Sequence, residues 1–304
     1  MDHSDPCVSL CAVFFVQSSF LFVLSIPLAS KVGPDFHERY LKTWVKNTGV
    51  PIICPDYSKA PEKPYPAALQ DVLDVYLFLT SGDPKVGEMF GFHPSKILMS
   101  GDSSGGNLAP AATVVLNEIR KQAPDAKIQM PKGLMLLYPA PNPSFVVNAS
   151  GALANVDTAL PAATCLTCFS LYPAVEPKID DYLWFRKEGV ADVIKRFRAR
   201  VQDPFFNLMA YNKFEGLKEI PLFITMSEFD PVLDQGIDFA KKWEGKTVVD
   251  IARRLQHGFV AFADAGSAKR DNELVIQRIR EALQLDTQSS TSEQNQDPES
   301  GKMI

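Results

Sequence analysis

One short stretch of the sequence, residues 96–107, combines residue types that suit acyl transfer. It contains Gly101-Asp102-Ser103-Ser104-Gly105, a match to the G-x-S-x-G pattern of a nucleophile elbow. In such an elbow a strained turn between a strand and a helix holds a serine hydroxyl above the edge of a sheet. Apolar residues precede and follow this turn, so we interpret Ser103 as a nucleophile; the alternative is a glycine-rich turn without chemistry.

A serine hydroxyl is a weak nucleophile until a neighbouring base takes its proton, and histidine is the usual base. The chain contains four histidines: His3, His37, His93 and His257. Only His257 is expected in a loop after a late strand and before the last helix, where an imidazole can reach back to the elbow. We therefore predict His257 as the base.

A third group, usually a carboxylate, orients the imidazole and stabilises its cation. Asp230 follows the apolar run 222–226, which predicts a strand, and Pro231 fixes the turn after it. The rival carboxylates are Glu228, Asp234 and Asp238. We predict Asp230, because a side chain at the end of a strand lies near the elbow.

The elements around these residues alternate between strands and helices. Strands are predicted at 50–54, 97–99, 132–138, 222–226 and 247–251, and helices at 36–47, 67–79, 233–243 and 273–285. This alternation is typical of the α/β class, with a mainly parallel sheet covered by helices on both faces. Active residues in such sheets lie at the carboxyl ends of the strands, where Ser103, Asp230 and His257 are expected.

Several motifs together resemble the catalytic domain of the hormone-sensitive lipase family of α/β-hydrolases. They are Asp56-Tyr57-Ser58-Lys59-Ala60-Pro61-Glu62, Gly101-Asp102-Ser103-Ser104-Gly105-Gly106-Asn107-Leu108, Asp230-Pro231-Val232-Leu233-Asp234 and His257-Gly258-Phe259. The resemblance implies an α/β-hydrolase fold and a serine esterase or lipase that hydrolyses acylglycerols or related lipid esters through an acyl-enzyme. It implies Ser103 as nucleophile, His257 as base and Asp230 as acid, without a metal or organic cofactor.

The chain departs from this family at the loop that binds the oxyanion. The family carries His-Gly-Gly-Gly on that loop, and this sequence has no such run; its place falls near Cys11–Phe14. The backbone N–H of Ser104 is the oxyanion donor that the elbow itself predicts. Activity is therefore expected to be weakened, and the alternative function is a non-catalytic protein that binds a lipid ligand on the hydrolase fold.

The first 35 residues form an apolar segment that is atypical of the family. Residues Val8–Ala29 are mostly apolar and long enough to span a bilayer. The segment is interpreted as buried strands of the sheet, as a membrane anchor, as a signal peptide or as a product of altered splicing. The predicted organisation is thus segment 1–35, hydrolase domain 36–285 and a polar, disordered tail 286–304.

Composition narrows the partners further. The net charge is −5, which argues against nucleic acid as a partner. The five cysteines are irregularly spaced, which favours a reducing compartment over a disulfide framework. We therefore expect a cytoplasmic protein, or one associated with lipid droplets or a membrane surface as the resemblance to a lipase family implies, with membrane anchoring through Val8–Ala29 as the alternative.

Overall fold

The strands form one sheet whose carboxyl ends carry the residues of interest. The computed structural model describes residues 8–9, 19–24, 37–143, 148–173, 201–263 and 266–285. Its strands are β1 (Val8–Ser9), β2 (Ser19–Leu24), β3 (Ile52–Pro55), β4 (Lys96–Asp102), β5 (Gly133–Leu137), β6 (Leu222–Phe229) and β7 (Thr247–Gln256). They pair in the order β1-β3-β2-β4-β5-β6-β7. Only the β1–β3 pair of these is antiparallel.

Helices pack against both faces of this sheet. They are α1 (Glu38–Thr48), α2 (Ala67–Thr80), α3 (Pro84–Phe90), α4 (Gly105–Gln122), α5 (Ala162–Leu171), α6 (Leu233–Lys242) and α7 (Gly266–Leu283). Buried residues of α2, α3, α4 and α6 form one hydrophobic cluster, and those of α1 and α7 form another. The predicted α/β class, with a mainly parallel sheet and helices on both faces, is confirmed.

Strand β4 shows how the sheet separates the two clusters. Ile97 and Met99 pack into the cluster of α2 and α4, while Leu98 between them packs into the cluster of α1 and α7. All three side chains are fully buried. This alternation follows from the two-residue repeat of a strand, and burial on both faces explains why the run 97–99 is apolar throughout.

Part of the apolar segment near residue 20 belongs to the sheet. Strand β2 lies between β3 and β4. Its pairing with β4 runs from Ser19 opposite Lys96 to Leu24 opposite Gly101. This pairing agrees with the interpretation of the segment as strands of the sheet. No helix among the described residues is long and apolar enough to cross a membrane. Residues 1–7, 10–18, 25–36 and 286–304 lie outside the described residues, and the domain bounds at 35 and 285 remain predictions.

Two elements near the end of the chain extend beyond their predicted bounds. Strand β7 continues to Gln256 rather than ending at Ile251, and its pairing with β6 shifts register between Ser227 and Phe229. Helix α7 begins at Gly266 rather than near Glu273. The extra residues in both elements are mostly polar or small, so they add little to the apolar periodicity on which the predictions depend.

Candidate active site

The turn between β4 and α4 has the strained geometry of a nucleophile elbow. Ser103 has a φ of 54°, a left-handed value that a residue with a side chain rarely adopts. Its N–H donates to the carbonyl oxygen of Leu137 at 2.9 Å, which ties the turn to β5. A Cβ on Gly101 would lie 2.1 Å from the carbonyl oxygen of Gly105, so only glycine allows the helix to start this close to the strand.

The three residues predicted from separate parts of the sequence lie within hydrogen-bond distance of one another. His257 Nε2 lies 2.8 Å from Ser103 Oγ. His257 Nδ1 lies 3.0 Å from Asp230 Oδ2 and 3.1 Å from Oδ1. Asp230 is fully buried and His257 is 6% exposed, whereas Ser103 is half-buried. The arrangement forms a continuous line from a carboxylate through an imidazole to an accessible hydroxyl.

Each of these side chains comes from the carboxyl end of a strand. Asp230 directly follows β6, and its Oδ1 accepts the N–H of Val232 at 3.0 Å, which orients the carboxylate within its turn. His257 directly follows β7, and Gly258 takes a left-handed φ of 76° that turns the chain toward α7. The parallel strands therefore bring residues far apart in sequence to one edge of the sheet.

The protonation state of His257 follows from its surroundings. Burial acts to lower the pKa of the imidazole, but the charge and hydrogen bond of Asp230 outweigh it, with further help from Asp157 and Asp102, so the pKa is raised. A carboxylate can only accept hydrogen bonds, so Nδ1 carries the proton that Asp230 binds. In the neutral ring Nε2 is then the acceptor for the Ser103 hydroxyl.

Two further groups border the imidazole. The ring of Tyr138, just after β5, lies 4.8 Å from the ring of His257 between centroids. Burial raises the pKa of the Tyr138 phenol, aided by the charges of Asp102 and Asp230, so the phenol is uncharged. Asp102 in the elbow accepts a hydrogen bond from Tyr40 Oη at 3.4 Å. The imidazole therefore lies beside an aromatic ring tilted by 57° and within reach of more than one carboxylate.

The rival residues of the sequence are engaged elsewhere. Asp234 accepts the N–H of Ser150 at 2.8 Å, and Glu228 accepts the backbone N–H of Arg254 at 2.8 Å. Asp238 pairs with Lys241 on the exposed side of α6. Of the other histidines, His37 is buried as the N-cap of α1 and His93 is exposed, while His3 lies outside the described residues.

Two residues in contact with the His257 loop were missed by sequence reasoning. Tyr138 ends the apolar run of β5, so its position at the carboxyl end of a strand was available as a signal. Asp157 lies in irregular chain between β5 and β6, and its Oδ2 accepts the backbone N–H of His257 at 3.4 Å. Neither periodicity nor a motif marks Asp157, so this long-range contact appears only in the folded chain.

A cavity of about 570 Å³ opens beside the His257 loop. Its lining includes large apolar side chains that are exposed to solvent: Val156, Phe229 and Phe262. It also includes residues that flank the loop: Asp157, Gln256 and Phe259. Ser103, Asp230 and His257 are not among the described residues that line it, so the cavity borders the His257 loop through Gln256 and Phe259 without including the triad.

The fold and this site define the class of protein. Residues 32–261 match the family model described as the alpha/beta hydrolase fold, which covers more than half of the chain. The chain therefore belongs to the α/β-hydrolase fold family. The match includes Ser103, Asp230 and His257.

Within that class the sequence is similar to lipases and esterases. It is 36% identical over 140 residues to the hormone-sensitive lipase of Ictidomys tridecemlineatus, a stretch of 46% of this chain and 17% of that lipase. It is 26% identical over 246 residues, 79% of this chain and 57% of the relative, to the carboxylic ester hydrolase LipN of Mycobacterium tuberculosis. The matches thus cover about a sixth of the first relative and just over half of the second.

Solved structures show the same fold. The thermophilic carboxylesterase EstE1 from a metagenomic library superposes with a TM-score of 0.67 at 21% identity, over 87% of this chain and 80% of that chain. A hormone-sensitive lipase from a metagenome library gives a TM-score of 0.66 at 17% identity, over 88% and 79% of the two chains. The predicted resemblance to the hormone-sensitive lipase family and the α/β-hydrolase fold is confirmed.

Proposed function

We propose that this chain is a serine carboxylic ester hydrolase in which Ser103 is the nucleophile, His257 the base and Asp230 the carboxylate that orients it. The observation that carries the proposal is the unbroken line of contacts from Asp230 to the Ser103 hydroxyl, with distances of 3.0 and 2.8 Å on the two sides of the imidazole. The strained backbone of Ser103 supports the same assignment.

The proposed reaction proceeds through an acyl-enzyme. Ser103 Oγ attacks the ester carbonyl while its proton passes to His257 Nε2. The imidazolium then gives that proton to the departing alcohol, which leaves an ester between Ser103 and the acyl group. Water attacks this ester with His257 again as base, and the carboxylic acid is released. Asp230 stays ionised throughout and stabilises the imidazolium.

The oxyanion of each tetrahedral intermediate requires hydrogen-bond donors. We assign one to the backbone N–H of Ser104, which precedes α4, where the helix dipole also favours negative charge. The loop that supplies further donors in the family has its place near residues 11–14, which lie outside the described residues. Loss of a single such donor costs roughly 10²- to 10³-fold in kcat, so the weakened activity remains part of the proposal.

The proposed substrates are acylglycerols or related lipid esters, presented at the surface of a lipid droplet or membrane. Similarity to proteins named lipases supports this class. The large apolar side chains that line the cavity near the His257 loop, among them Phe229 and Phe262, which are 52% and 62% exposed, also favour contact with lipid. The corresponding proposal for localisation is a cytoplasmic protein or one that associates with lipid surfaces.

The proposal is tested by hydrolysis of p-nitrophenyl esters of increasing acyl length and of a monoacylglycerol. We expect turnover by the wild-type chain, and a loss of at least about 10³-fold in kcat for Ser103→Ala. Ser81→Ala, a change to an exposed serine at the end of α2, serves as the matched control and keeps wild-type activity. A folded protein that binds the esters without turnover favours the ligand-binding alternative.

A further inference from the structure

A second buried carboxylate lies against the backbone of the His257 loop. Asp157 is 7% exposed and follows the 3₁₀ turn Ser150–Asn155. Its Oδ1 accepts the N–H groups of Ala159 and Leu160, both at 2.7 Å. Its Oδ2 faces the other way and accepts the backbone N–H of His257 at 3.4 Å. One carboxylate thus connects a loop between β5 and β6 to the residue that bears the imidazole.

The next residue along the chain makes a second connection to the same loop. Thr158 Oγ1 donates to Gln256 Oε1 at 3.0 Å, and Gln256 is the last residue of β7. Two consecutive residues, Asp157 and Thr158, therefore bind two consecutive residues, His257 and Gln256. The Thr158 bond is exposed and involves no charge, whereas Asp157 is buried and brings a carboxylate.

The groups that face the imidazole come from every element around it. Asp102 is the last residue of β4, Tyr138 directly follows β5 and Asp230 directly follows β6. Asp157 lies in the loop after the 3₁₀ turn. From α5, Cys165 lies close to Asp230 and Asp157; burial raises its pKa to about 12, with the nearby Cys168 thiol and the two carboxylates adding to the shift, so this thiol is uncharged. Among the described residues, the charged groups that act on the pKa of His257 are the carboxylates Asp230, Asp157 and Asp102, and each of them favours the imidazolium.

We propose that Asp157 is a positioning residue for His257, holding the backbone of its loop and favouring the charged imidazolium that forms during acyl transfer. The inference rests on the proposed function, because an imidazolium forms only if His257 accepts the Ser103 proton. Asp157 does not touch the ring in the described hydrogen bonds, so it acts through the His257 backbone and through its charge. A fixed charge in a site of low dielectric is effective at this range because no solvent has to reorganise.

Three substitutions test this role. Asp157→Asn keeps the size of the side chain but removes the charge and one of the two oxygen acceptors that bind the N–H groups of Ala159, Leu160 and His257. Thr158→Val removes the bond to Gln256 and keeps the charge. His257→Gln removes the imidazole and identifies its signals. We expect kcat of Asp157→Asn to fall about tenfold with KM little changed, since the field of the carboxylate and one of its two hydrogen-bond acceptors are lost.

The pH profile of kcat/KM distinguishes the proposed role of Asp157 from a merely structural one, because a structural role would not shift that profile. Because the Asp157 charge raises the pKa of His257, the acid limb of kcat/KM moves to lower pH in Asp157→Asn and stays at the wild-type position in Thr158→Val. A fall in activity of Asp157→Asn with an unmoved acid limb overturns the proposal, as does wild-type kcat with a wild-type profile.

Titration of the imidazole by NMR separates this inference from the proposed function. The chain has four histidines, so the His257 signals are those lost in His257→Gln. The titration needs no turnover. A wild-type chain that hydrolyses no ester contradicts the proposed function, and this inference falls with it. Ester hydrolysis with the same His257 titration in wild type and Asp157→Asn contradicts only the positioning role of Asp157.

Discussion

Replacing Gly106 by alanine tests whether the packing of the elbow sets the position of the imidazole. Gly106 lies in the first turn of α4, where its backbone approaches the segment after β5. An added Cβ would lie 2.5 Å from Pro139 Cβ and 2.7 Å from Pro139 Cα. Ordinary contacts between carbon atoms are about 3.5–4.0 Å, so Pro139 has to move by about 1 Å.

Pro139 is held on both sides. The N–H of Tyr138 donates to the carbonyl of Thr225 at 2.7 Å, and the N–H of Ala140 donates to the carbonyl of Ser103 at 3.2 Å. Overpacking against such a backbone costs about 1–3 kcal/mol, and the better helix propensity of alanine returns up to about 1 kcal/mol. We expect a net loss of about 1–2 kcal/mol in the free energy of unfolding, or roughly 2–8 °C in Tm.

We expect a larger loss of kcat than the lower free energy of unfolding would cause by itself. Tyr138 precedes Pro139, and its ring lies 4.8 Å from that of His257, so a shift of Pro139 displaces the surface on which the imidazole packs. A displacement of this size costs about 10²-fold in kcat. Thermal unfolding and ester hydrolysis measure the two effects on the same sample.

The matched control is Gly87→Ala in α3. There the added Cβ would lie 2.8 Å from His93 Nε2, the mobile end of an exposed side chain that can swing away. We expect wild-type kcat and unchanged or slightly raised Tm for this variant. If Gly106→Ala behaves like Gly87→Ala in both measurements, the argument that Pro139 and Tyr138 position His257 is refuted.

Three other predictions follow from the contacts of the site and the core. Asp230→Asn lowers kcat about 10⁴-fold with KM nearly unchanged, because the ring loses the partner that holds its tautomer; a loss below tenfold in steady-state assays would contradict this. The raised pKa of His257 places the rise of kcat/KM at higher pH than for an ordinary imidazole, and makes the Tm advantage of wild type over His257→Gln shrink as pH rises through that pKa. Asn272→Leu leaves the buried Trp44 Nε1–H, now bonded at 2.7 Å, without its acceptor and costs about 1–3 kcal/mol in urea unfolding, whereas an unchanged midpoint would argue against this bond.

Whether a feature of this chain could be predicted from the sequence depended on whether it has a signal within one short segment. The elbow around Ser103 was predictable because glycine and serine at fixed spacing are required by one tight turn. Asp230 and His257 could be selected because they follow apolar runs, and parallel strands bring their carboxyl ends together. Folding adds what spacing alone does not contain, namely that these side chains lie 2.8–3.1 Å apart.

The remaining features depend on contacts between distant segments. Asp157 lies 100 positions before His257 in irregular chain, and no repeat of two or 3.6 residues marks it. The register shift between β6 and β7, near Ser227 and Phe229, likewise has no local signature and changes the end of β7. Such features arise from packing and backbone hydrogen bonding, which the apolar pattern of a single segment does not encode.

The most direct test of the account is where a fluorophosphonate reacts. Trypsin cleaves after Lys96 and Arg120, so residues 97–120 are released as one peptide that contains Ser100, Ser103 and Ser104. We predict one adduct per folded chain, on Ser103, which is lost when the protein is unfolded first and forms much more slowly in His257→Gln. An adduct on a different residue, or none on folded protein, would contradict the claim that these side chains form a working triad.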